Sequence, residues 1–385
     1  MADGQWPESG PPVGKLAAVF DVDDARRDGD RLLYFGELRA PRQVVLERAW
    51  TVFRDRGYEV MLTKRHGRDV LVAEPVDTGV DGIPWTNVVL ALATVLSTLY
   101  VGAYYWYYVR DPFADPLAML VAWPFVAAVL GVLGIHELGH YVLSRYHGVD
   151  ATLPYFIPMP SLIGTMGAVI RMKGRMPDRT ALFDIGVAGP IAGLVATVVV
   201  TAIGLSMPPI VEPAWLAASP ATVEVHFGKP LLFRGIAAAM GVAPEYTNPV
   251  VIGAWVGMFV TFLNLLPVGQ LDGGHIVRAL LGERQQTLAA IVPGVLFALA
   301  GYLYYVDATG GVLLSVAGYA FEVQDAGSAV SLWFVWGLFA LFFAFVGPAD
   351  PVNEAGIDGK RKLVGVVTLL LGLACFSPVP IQIVT

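Results

Sequence analysis

Three ionisable residues within five positions interrupt an apolar stretch of the chain, which reads Gly134-Ile-His136-Glu137-Leu-Gly-His140. Positions four apart share one face of a helix, so His136 and His140 can present ring nitrogens to one metal ion. Glu137 points about a quarter-turn away, within reach of a water on that metal. Because ionisable side chains are costly in an apolar run, this spacing predicts a metal site rather than a polar cluster that only joins helices.

The predicted metal is zinc, one ion per chain, since imidazole and carboxylate ligands in an open tetrahedral site suit it. Two histidines leave a third protein ligand to be found. Tyr146 occupies the place of a further His ten residues after the first, and no Glu occurs between Glu137 and Glu212. Two aspartates in apolar sequence remain as candidates, Asp184 and Asp272.

The surroundings of Asp272 favour it as the third ligand. It closes the segment Asn264-Leu-Leu-Pro-Val-Gly-Gln-Leu-Asp272-Gly-Gly, directly after an apolar run. Proline and glycine break a helix, and broken backbone at membrane depth is tolerated only where it lines protein or a cavity. Asp184 instead opens an apolar run, where an acidic residue commonly serves a helix N-terminus. Asp184 stays open as the alternative.

The elements that carry these residues are predicted to be membrane-spanning helices. Hydrophobic residues make up 56% of the 385 residues, and 27 of the 57 charged residues fall within the first 85. With a single cysteine, Cys375, this composition excludes a disordered chain, a nucleic-acid binder and a disulfide scaffold. Seven apolar runs are long enough to cross a membrane. They cover residues 87–108, 117–140, 183–205, 250–266, 288–306, 330–346 and 363–379.

The predicted fold is an all-α polytopic membrane protein with about seven transmembrane helices and a small N-terminal α/β cytoplasmic domain. Residues 1–85 form that domain, with a flexible tail at 1–13 and a linker at 77–84. Residues 86–385 form the membrane domain, with a catalytic core at about 117–282. The apolar but short segment 310–322 is expected to be re-entrant or interfacial. The proline-rich and glycine-rich loop 152–176 predicts a membrane-associated β-hairpin beside the site.

Basic residues set the predicted orientation. They gather between the second and third spans, after the fourth span and before the last. With seven spans, all three groups fall on the side of the N-terminal domain, which the excess of Arg and Lys marks as cytoplasmic. The active site should therefore open towards the cytoplasm. The first 20 residues lack the pattern of a signal peptide, and the chain shows no evident transit peptide; the latter favours a multi-pass protein of a prokaryotic cell membrane.

The chain resembles the site-2 proteases, the intramembrane zinc metalloproteases of peptidase family M50. Their two signatures, His-Glu-x-x-His and Asn/Asp-x-x-Pro-x-x-x-x-Asp-Gly, stand intact at residues 136–140 and 264–273. The segments Leu153-Pro-Tyr-Phe-Ile-Pro, Ile163-Gly-Thr-Met-Gly-Ala and Ala188-Gly-Pro-Ile-Ala-Gly are similar to those of the cyanobacterial and plastid branch. The resemblance covers about residues 86–282 well and the last spans more loosely.

The resemblance implies a role for each candidate residue. His136, His140 and Asp272 would bind zinc, and Glu137 would take the proton from the zinc-bound water and pass it to the leaving amine. Asn264 would hold the substrate backbone or the oxyanion, with a helix–helix hydrogen bond as the alternative.

The loop that carries Gly164 and Gly167 would hold the unwound substrate as an added strand. The alternative is that this loop only seals the cavity.

The leading hypothesis is an intramembrane zinc endopeptidase that acts on transmembrane protein substrates in the lipid bilayer, with no nucleic-acid partner. An ion- or proton-coupled transporter and a catalytically silent scaffold are the alternatives. Other residues are expected to have structural or surface roles. Gly189 and Gly193 should permit close helix packing. His275 fits either the site or a surface cap, and the remaining histidines outside the motif are expected to be exposed: His66, His147 and His226.

Overall fold

The computed structural model describes residues 10, 13–65, 67–75, 82–173, 175–217, 224–245, 248–310, 313–316, 319–321 and 326–384. Most of the predicted tail at 1–13, most of the predicted linker at 77–84, and His66 lie outside these residues. The rest of the chain forms a small N-terminal strand-rich domain followed by a mostly helical part.

The N-terminal domain is a four-stranded antiparallel sheet covered by one helix. Its strands lie in the order β1-β2-β4-β3. The elements are β1 (Phe20–Asp28), β2 (Arg31–Leu38), α1 (Arg42–Arg54), β3 (Tyr58–Arg65) and β4 (Arg68–Pro75). Alternation along the strands places Tyr34 and Leu71 against Val45 and Phe53 of α1 in one apolar core. Such a core gives this domain its own packing, apart from the long apolar helices.

Ten helices follow in the remainder of the described chain. They are α2 (Trp85–Val101), α3 (Trp123–Tyr146), α4 (Arg179–Ser206), α5 (Ala214–Ala217), α6 (Leu231–Met240), α7 (Pro249–Asn264), α8 (Asp272–Leu281), α9 (Gln285–Thr309), α10 (Gly327–Val346) and α11 (Gly359–Ala374). A π-helical turn, Gly102–Trp106, extends α2, and a 3-10 segment, Pro116–Ala122, leads into α3. A 3-10 turn, Gly282–Arg284, joins α8 to α9.

Five helical segments among the described residues are long and apolar enough to cross a membrane. They are Trp85–Trp106, Pro116–Tyr146, Arg179–Ser206, Asp272–Thr309 and Gly327–Val346. The membrane-type fold is therefore confirmed, whereas the count of seven spans is not. The other two predicted spans correspond to α7 and α11, which have 16 residues each. At 1.5 Å per residue, such a helix is about 24 Å long, short of the ~30 Å hydrocarbon core.

Short strands lie in the connections between the helices. They are β5 (Asp150–Ala151), β6 (Tyr155–Pro158), β7 (Thr165–Val169), β8 (Met172–Lys173), β9 (Met176–Asp178), β10 (Glu224–Phe227), β11 (Leu313–Val316), β12 (Tyr319–Phe321), β13 (Pro351–Asn353) and β14 (Ile381–Val384). Strands β6 and β7 form an antiparallel hairpin within the loop where one was predicted. The predicted re-entrant segment 310–322 is described only in part, and β11 and β12 pair there.

Small residues let the helices that carry the site approach each other closely. A methyl group on Gly139 of α3 would lie 2.6 Å from the carbonyl oxygen of Ala188 in α4. One on Gly257 of α7 would lie 2.5 Å from the Thr197 hydroxyl in α4. Because only glycine leaves that space, α3, α4 and α7 pack as one unit around the histidine motif.

Candidate metal centre

Two histidines and one aspartate from different helices meet in the interior of the protein. His136 and His140 lie one turn apart on α3, and Asp272 is the first residue of α8. Their nearest ligand atoms all lie within 4.8 Å of one another. The side chain of Asp272 bridges the two rings, with its oxygens 3.1 Å from His136 Nε2 and 3.2 Å from His140 Nε2. The two Nε2 atoms are 3.2 Å apart.

These distances fit a tetrahedral zinc ion. Zinc–ligand distances of about 2.0–2.2 Å place the ligand atoms of a tetrahedral site about 3.3–3.6 Å from each other. The two Nε2 atoms, 3.2 Å apart, lie close to that range, and each has one of the two carboxylate oxygens of Asp272 at a similar distance, so His136, His140 and Asp272 would hold the ion. His140 Nδ1 hydrogen-bonds the carbonyl oxygen of Ile185 at 2.7 Å, which places the proton on Nδ1 and leaves Nε2 as the ligand atom.

The break between α7 and α8 explains how a helix terminus reaches the histidines. Helix α7 ends at Asn264, and the chain turns through residues 265–271 before α8 begins. Gly269 in this turn has φ +48°, and a methyl group there would lie 2.3 Å from the carbonyl oxygen of Phe343 in α10. A methyl group on Gly273 would lie 2.1 Å from the carbonyl oxygen of Leu265. Glycine is therefore required for the turn to close tightly enough to present Asp272.

Two glycines of α4 form the surface on which the histidine rings lie. A methyl group on Gly189 would lie 2.0 Å from His140 Nε2, and one on Gly193 would lie 2.8 Å from His136 Nδ1. The sequence predicted only that these glycines permit close helix packing, whereas in the structure they face the histidine rings themselves. Each glycine leaves room for one ring of the metal-binding group, and Gly139 opposite them brings the two helices together.

Glu137 faces the same cavity as the three ligand residues. The cavity has a volume of about 180 Å³, and Glu137, Asn264 and His275 contribute to its wall. The Glu137 side chain accepts a hydrogen bond from the backbone N–H of Ile170, directly after β7. Glu137 is only 7% exposed, so its carboxylate is held in a water-poor pocket beside the metal group.

The tentative site residues fall at two different places. Asn264 joins the metal group, with its Nδ2 3.3 Å from His136 Nε2. Gly164 instead lies against α2, where its carbonyl oxygen accepts a hydrogen bond from Ser97, and Gly167 lies within β7 at φ +124°. The part of the hairpin that lines the cavity consists of residues 168–170.

The alternative ligand Asp184 belongs to a separate ionic cluster. Its carboxylate lies 3.0 Å from His147 Nε2 and accepts two hydrogen bonds from Arg361, at 2.7 and 2.9 Å. This cluster joins the start of α4 to the start of α11. His147 was expected to be exposed, and this expectation is wrong, because its side chain is 16% exposed and packed against Asp184. His226 is exposed as expected.

His275 is buried at the cavity rather than placed as a surface cap. It is 4% exposed, and its Nδ1 atom has no hydrogen-bond partner among the described residues. The roles of Ile185 and Ile170 were not predicted from the sequence. Both residues act through backbone groups, which every residue type has. For Gly189 and Gly193 a signal existed, since glycines four apart on a helix opposite a motif with histidines four apart are placed to face them.

Comparison with known proteins places this site in a described family. Peptidase family M50 matches residues 124–301. The probable zinc metalloprotease EGY1, chloroplastic, of Arabidopsis thaliana is 38% identical over 282 residues, which is 69% of this chain and 46% of that protein. The probable zinc metalloprotease EGY2, chloroplastic, of Oryza sativa subsp. indica is 28% identical over 65% of this chain and 41% of that protein.

A third relative matches more of the chain. The probable zinc metallopeptidase EGY3, chloroplastic, of Arabidopsis thaliana is 26% identical over 94% of this chain and 64% of that protein. The chain spans less than half of the length of the EGY1 and EGY2 proteins. No solved structure matches it. Residues 124–301, which contain the whole metal-binding group, therefore belong to peptidase family M50, as the two sequence signatures indicated.

Proposed function

We propose that the protein is an intramembrane zinc endopeptidase that hydrolyses peptide bonds within or near transmembrane segments of other membrane proteins. The observation that carries the proposal is the convergence of His136, His140 and Asp272 beside Glu137, in a cavity between helices of membrane length. A transporter would need ionisable groups spread along a path. Four of the five that are buried within the described helices lie at this cavity, namely His136, Glu137, His140 and His275. The fifth, Arg278, pairs with Asp350 and Glu354. This concentration at one place supports the peptidase.

The proposed mechanism follows from the positions of the side chains. Zinc, when bound, lowers the pKa of a coordinated water towards ~7 and polarises the scissile carbonyl. The Glu137 carboxylate accepts the proton of the attacking water and delivers it to the nitrogen of the leaving amine. The Asn264 amide group, at the edge of the metal group, binds a backbone carbonyl of the substrate. Burial of the Glu137 side chain keeps bulk water away from its carboxylate.

The hairpin supplies a place for an unwound substrate. Strand β7 pairs with β6 on one edge, and residues 168–170 bring its chain to the cavity, where Ile170 already contacts Glu137. An extended substrate backbone can add to a strand edge by main-chain hydrogen bonds, which hold it without regard to its side chains. Gly164 and Gly167 shape the hairpin rather than bind the substrate. Gly164 lets the hairpin pack on α2, and Gly167 lets the backbone bend within β7.

The organisation of the chain in the membrane follows from the sequence. Residues 1–85 are proposed as a cytoplasmic domain and residues 86–385 as the membrane domain, with the catalytic core at about 117–282 and the active site open towards the cytoplasm. The relatives are named chloroplastic, which conflicts with the expectation of a prokaryotic cell membrane. Multi-pass membrane association is the part of that expectation that the long apolar helices support.

The test is cleavage of a single-span substrate by the purified protein in lipid, compared with Glu137→Gln. The variant keeps the ligand residues, so it should bind one zinc per chain and lose cleavage by a factor of about 10²–10⁴, the usual contribution of a general base. Equal cleavage by both proteins would contradict the role of Glu137. Absence of cleavage by the zinc-loaded wild type across a panel of single-span substrates would contradict the peptidase.

A further inference from the structure

One wall of the metal cavity is built from short strands rather than from helices. Met172 of β8 and Met176 of β9 line the cavity on this side, and Met176 is 3% exposed. Strand β9 pairs in parallel with β13, so that Pro351 lies opposite Met176 and Asn353 opposite Asp178. Strand β13 comes from the distant segment between α10 and α11. The segment therefore lies directly behind the residue that closes this wall.

A buried arginine holds β13 from the membrane domain. Arg278 lies on α8, the helix that begins with Asp272, and its side chain is 6% exposed. Its guanidinium Nη2 lies 3.1 Å from Asp350 Oδ1 and 2.5 Å from Glu354 Oε1. These two carboxylates flank β13 on either side. One guanidinium thus links both ends of the strand to the helix of the third ligand residue.

The N-terminal domain holds the same two strands from the other side. Gln43 of α1 donates a hydrogen bond from Nε2 to the carbonyl oxygen of Val352 in β13, at 2.7 Å. Glu59 of β3 accepts one from the backbone N–H of Arg175, next to β9, at 2.6 Å. The domain is therefore attached to both members of the strand pair that forms the cavity wall.

The β9–β13 wall narrows the approach to the metal-binding group. His136, Glu137 and His140 are only 3–7% exposed, so an extended backbone reaches them more easily when this wall moves away. The helices around them pack through close contacts between glycine and backbone. The β9–β13 wall is a ladder of three residues, held by ion pairs whose acidic partners, Asp350 and Glu354, are 67% and 41% exposed. A ladder this short has few backbone hydrogen bonds, so it can separate locally while the helices around it stay packed.

We propose that the N-terminal domain is a regulatory latch that keeps the β9–β13 wall closed over the metal cavity. Release of the domain from Val352 and Arg175 frees both strands at once and opens the cavity on the side of Met176. This role rests on the proposed peptidase function for its purpose, but the movement itself is a property of the fold. The domain thereby sets how often the active site is accessible.

Thiol labelling measures this opening without any substrate. The sole cysteine, Cys375, is 1% exposed, so the unaltered protein gives the background rate. Met176→Cys places a thiol in the wall, and its reaction with a water-soluble charged maleimide in lipid nanodiscs is followed by mass spectrometry. Each lost hydrogen bond changes an opening equilibrium about fivefold. Adding Gln43→Ala and Glu59→Ala should therefore raise the labelling rate by roughly 5- to 25-fold.

Two comparison proteins make the result decisive. Glu37→Ala alters an exposed glutamate of β2 in the same domain and should leave the labelling rate within twofold of the parent. Asp350→Asn with Glu354→Gln loosens β13 without touching the N-terminal domain and should also raise the rate. A rate in the Gln43→Ala/Glu59→Ala protein within twofold of the parent overturns the latch. So does an increase confined to the Asp350→Asn/Glu354→Gln protein, because the wall would then open independently of the domain.

The same proteins separate this proposal from the peptidase function. Labelling requires no proteolysis, so a failure of the peptidase assay leaves the labelling result standing. If both proposals hold, Gln43→Ala/Glu59→Ala without the introduced thiol should cleave a single-span substrate faster than the unaltered protein.

Discussion

Substitution of Gly189 by alanine tests the arrangement of the metal centre most directly. A methyl group at this position would lie 2.0 Å from His140 Nε2 and 2.4 and 2.6 Å from two ring carbons. Ordinary contact begins at 3.4 Å, so the ring would have to move by about 1.4 Å. Metal ligands tolerate displacements of only about 0.2 Å. The ring therefore cannot keep its position as a ligand beside Asp272.

The expected magnitude exceeds that of an ordinary change near a metal. Loss of a hydrogen-bond partner behind a ligand costs about 10- to 100-fold in metal affinity. Displacing the ligand itself should cost at least ~100-fold. The substitution should stabilise the helix itself, because alanine is favoured over glycine inside a helix by about 0.5–1 kcal/mol. We therefore expect Gly189→Ala to remain folded and to lose zinc.

Zinc affinity is compared as the zinc content that remains after dialysis against a competing chelator, measured by elemental analysis. Thermal unfolding shows whether each variant is folded. Gly193→Ala should show a smaller loss of affinity, about 10-fold, because its methyl group would lie 2.8 Å from His136 Nδ1. Gly294→Ala in α9 is the matched control, since a methyl group there meets no atom within 4 Å. Zinc affinity of Gly189→Ala equal to that of Gly294→Ala would refute the reasoning.

Three further predictions follow from other parts of the structure. Asp272→Asn should lower zinc affinity by at least ~10-fold, whereas Asp184→Asn should leave zinc content unchanged; equal effects would contradict the choice of third ligand. Gly164→Ala should loosen the hairpin, because the methyl group would lie 2.5 Å from the Thr98 backbone, and faster proteolytic nicking of the loop would report it. Hydrogen bonds from the backbone N–H and the side chain of Arg361 lower the pKa of Asp358 below its ordinary value. The stability that this cap gives α11 is present above about pH 4 and lost as the pH falls further. The free energy of unfolding of Asp358→Asn should therefore depend less on pH in the acid range.

The chemistry of the site was largely readable from the sequence because it depends on residue type and spacing. His136 and His140 identify each other through the helical repeat, and Asp272 follows from a break in the helix that only a cavity can accommodate. Those inferences use local rules, which hold before any tertiary contact is known. The assignment of Asp184 to another cluster needed the fold, because its partner Arg361 lies 177 positions further along the chain.

The functions of backbone groups could not be read in the same way. Ile185 fixes the tautomer of His140 through a carbonyl oxygen, and Ile170 contacts Glu137 through an N–H group. Every residue type offers those groups, so the sequence contains no signal for them. The attachment of the N-terminal domain through Gln43 and Val352 was hidden for another reason, since it joins positions 309 apart with no repeated pattern.

The short length of α7 explains both the construction of the site and why one of the two remaining predicted spans is not confirmed. Helix α7 has 16 residues and reaches about 24 Å, so its end at Asn264 stops about 6 Å short of a ~30 Å hydrocarbon core. The turn 265–271 fills that distance with irregular backbone, which is tolerated there because α10 and α8 cover it. A full-length helix would place the chain outside the apolar layer before it could turn. The shortness of α7 is what brings Asp272 to the depth of His136 and His140, so lengthening α7 by one turn should abolish zinc binding while adding apolar length to the span.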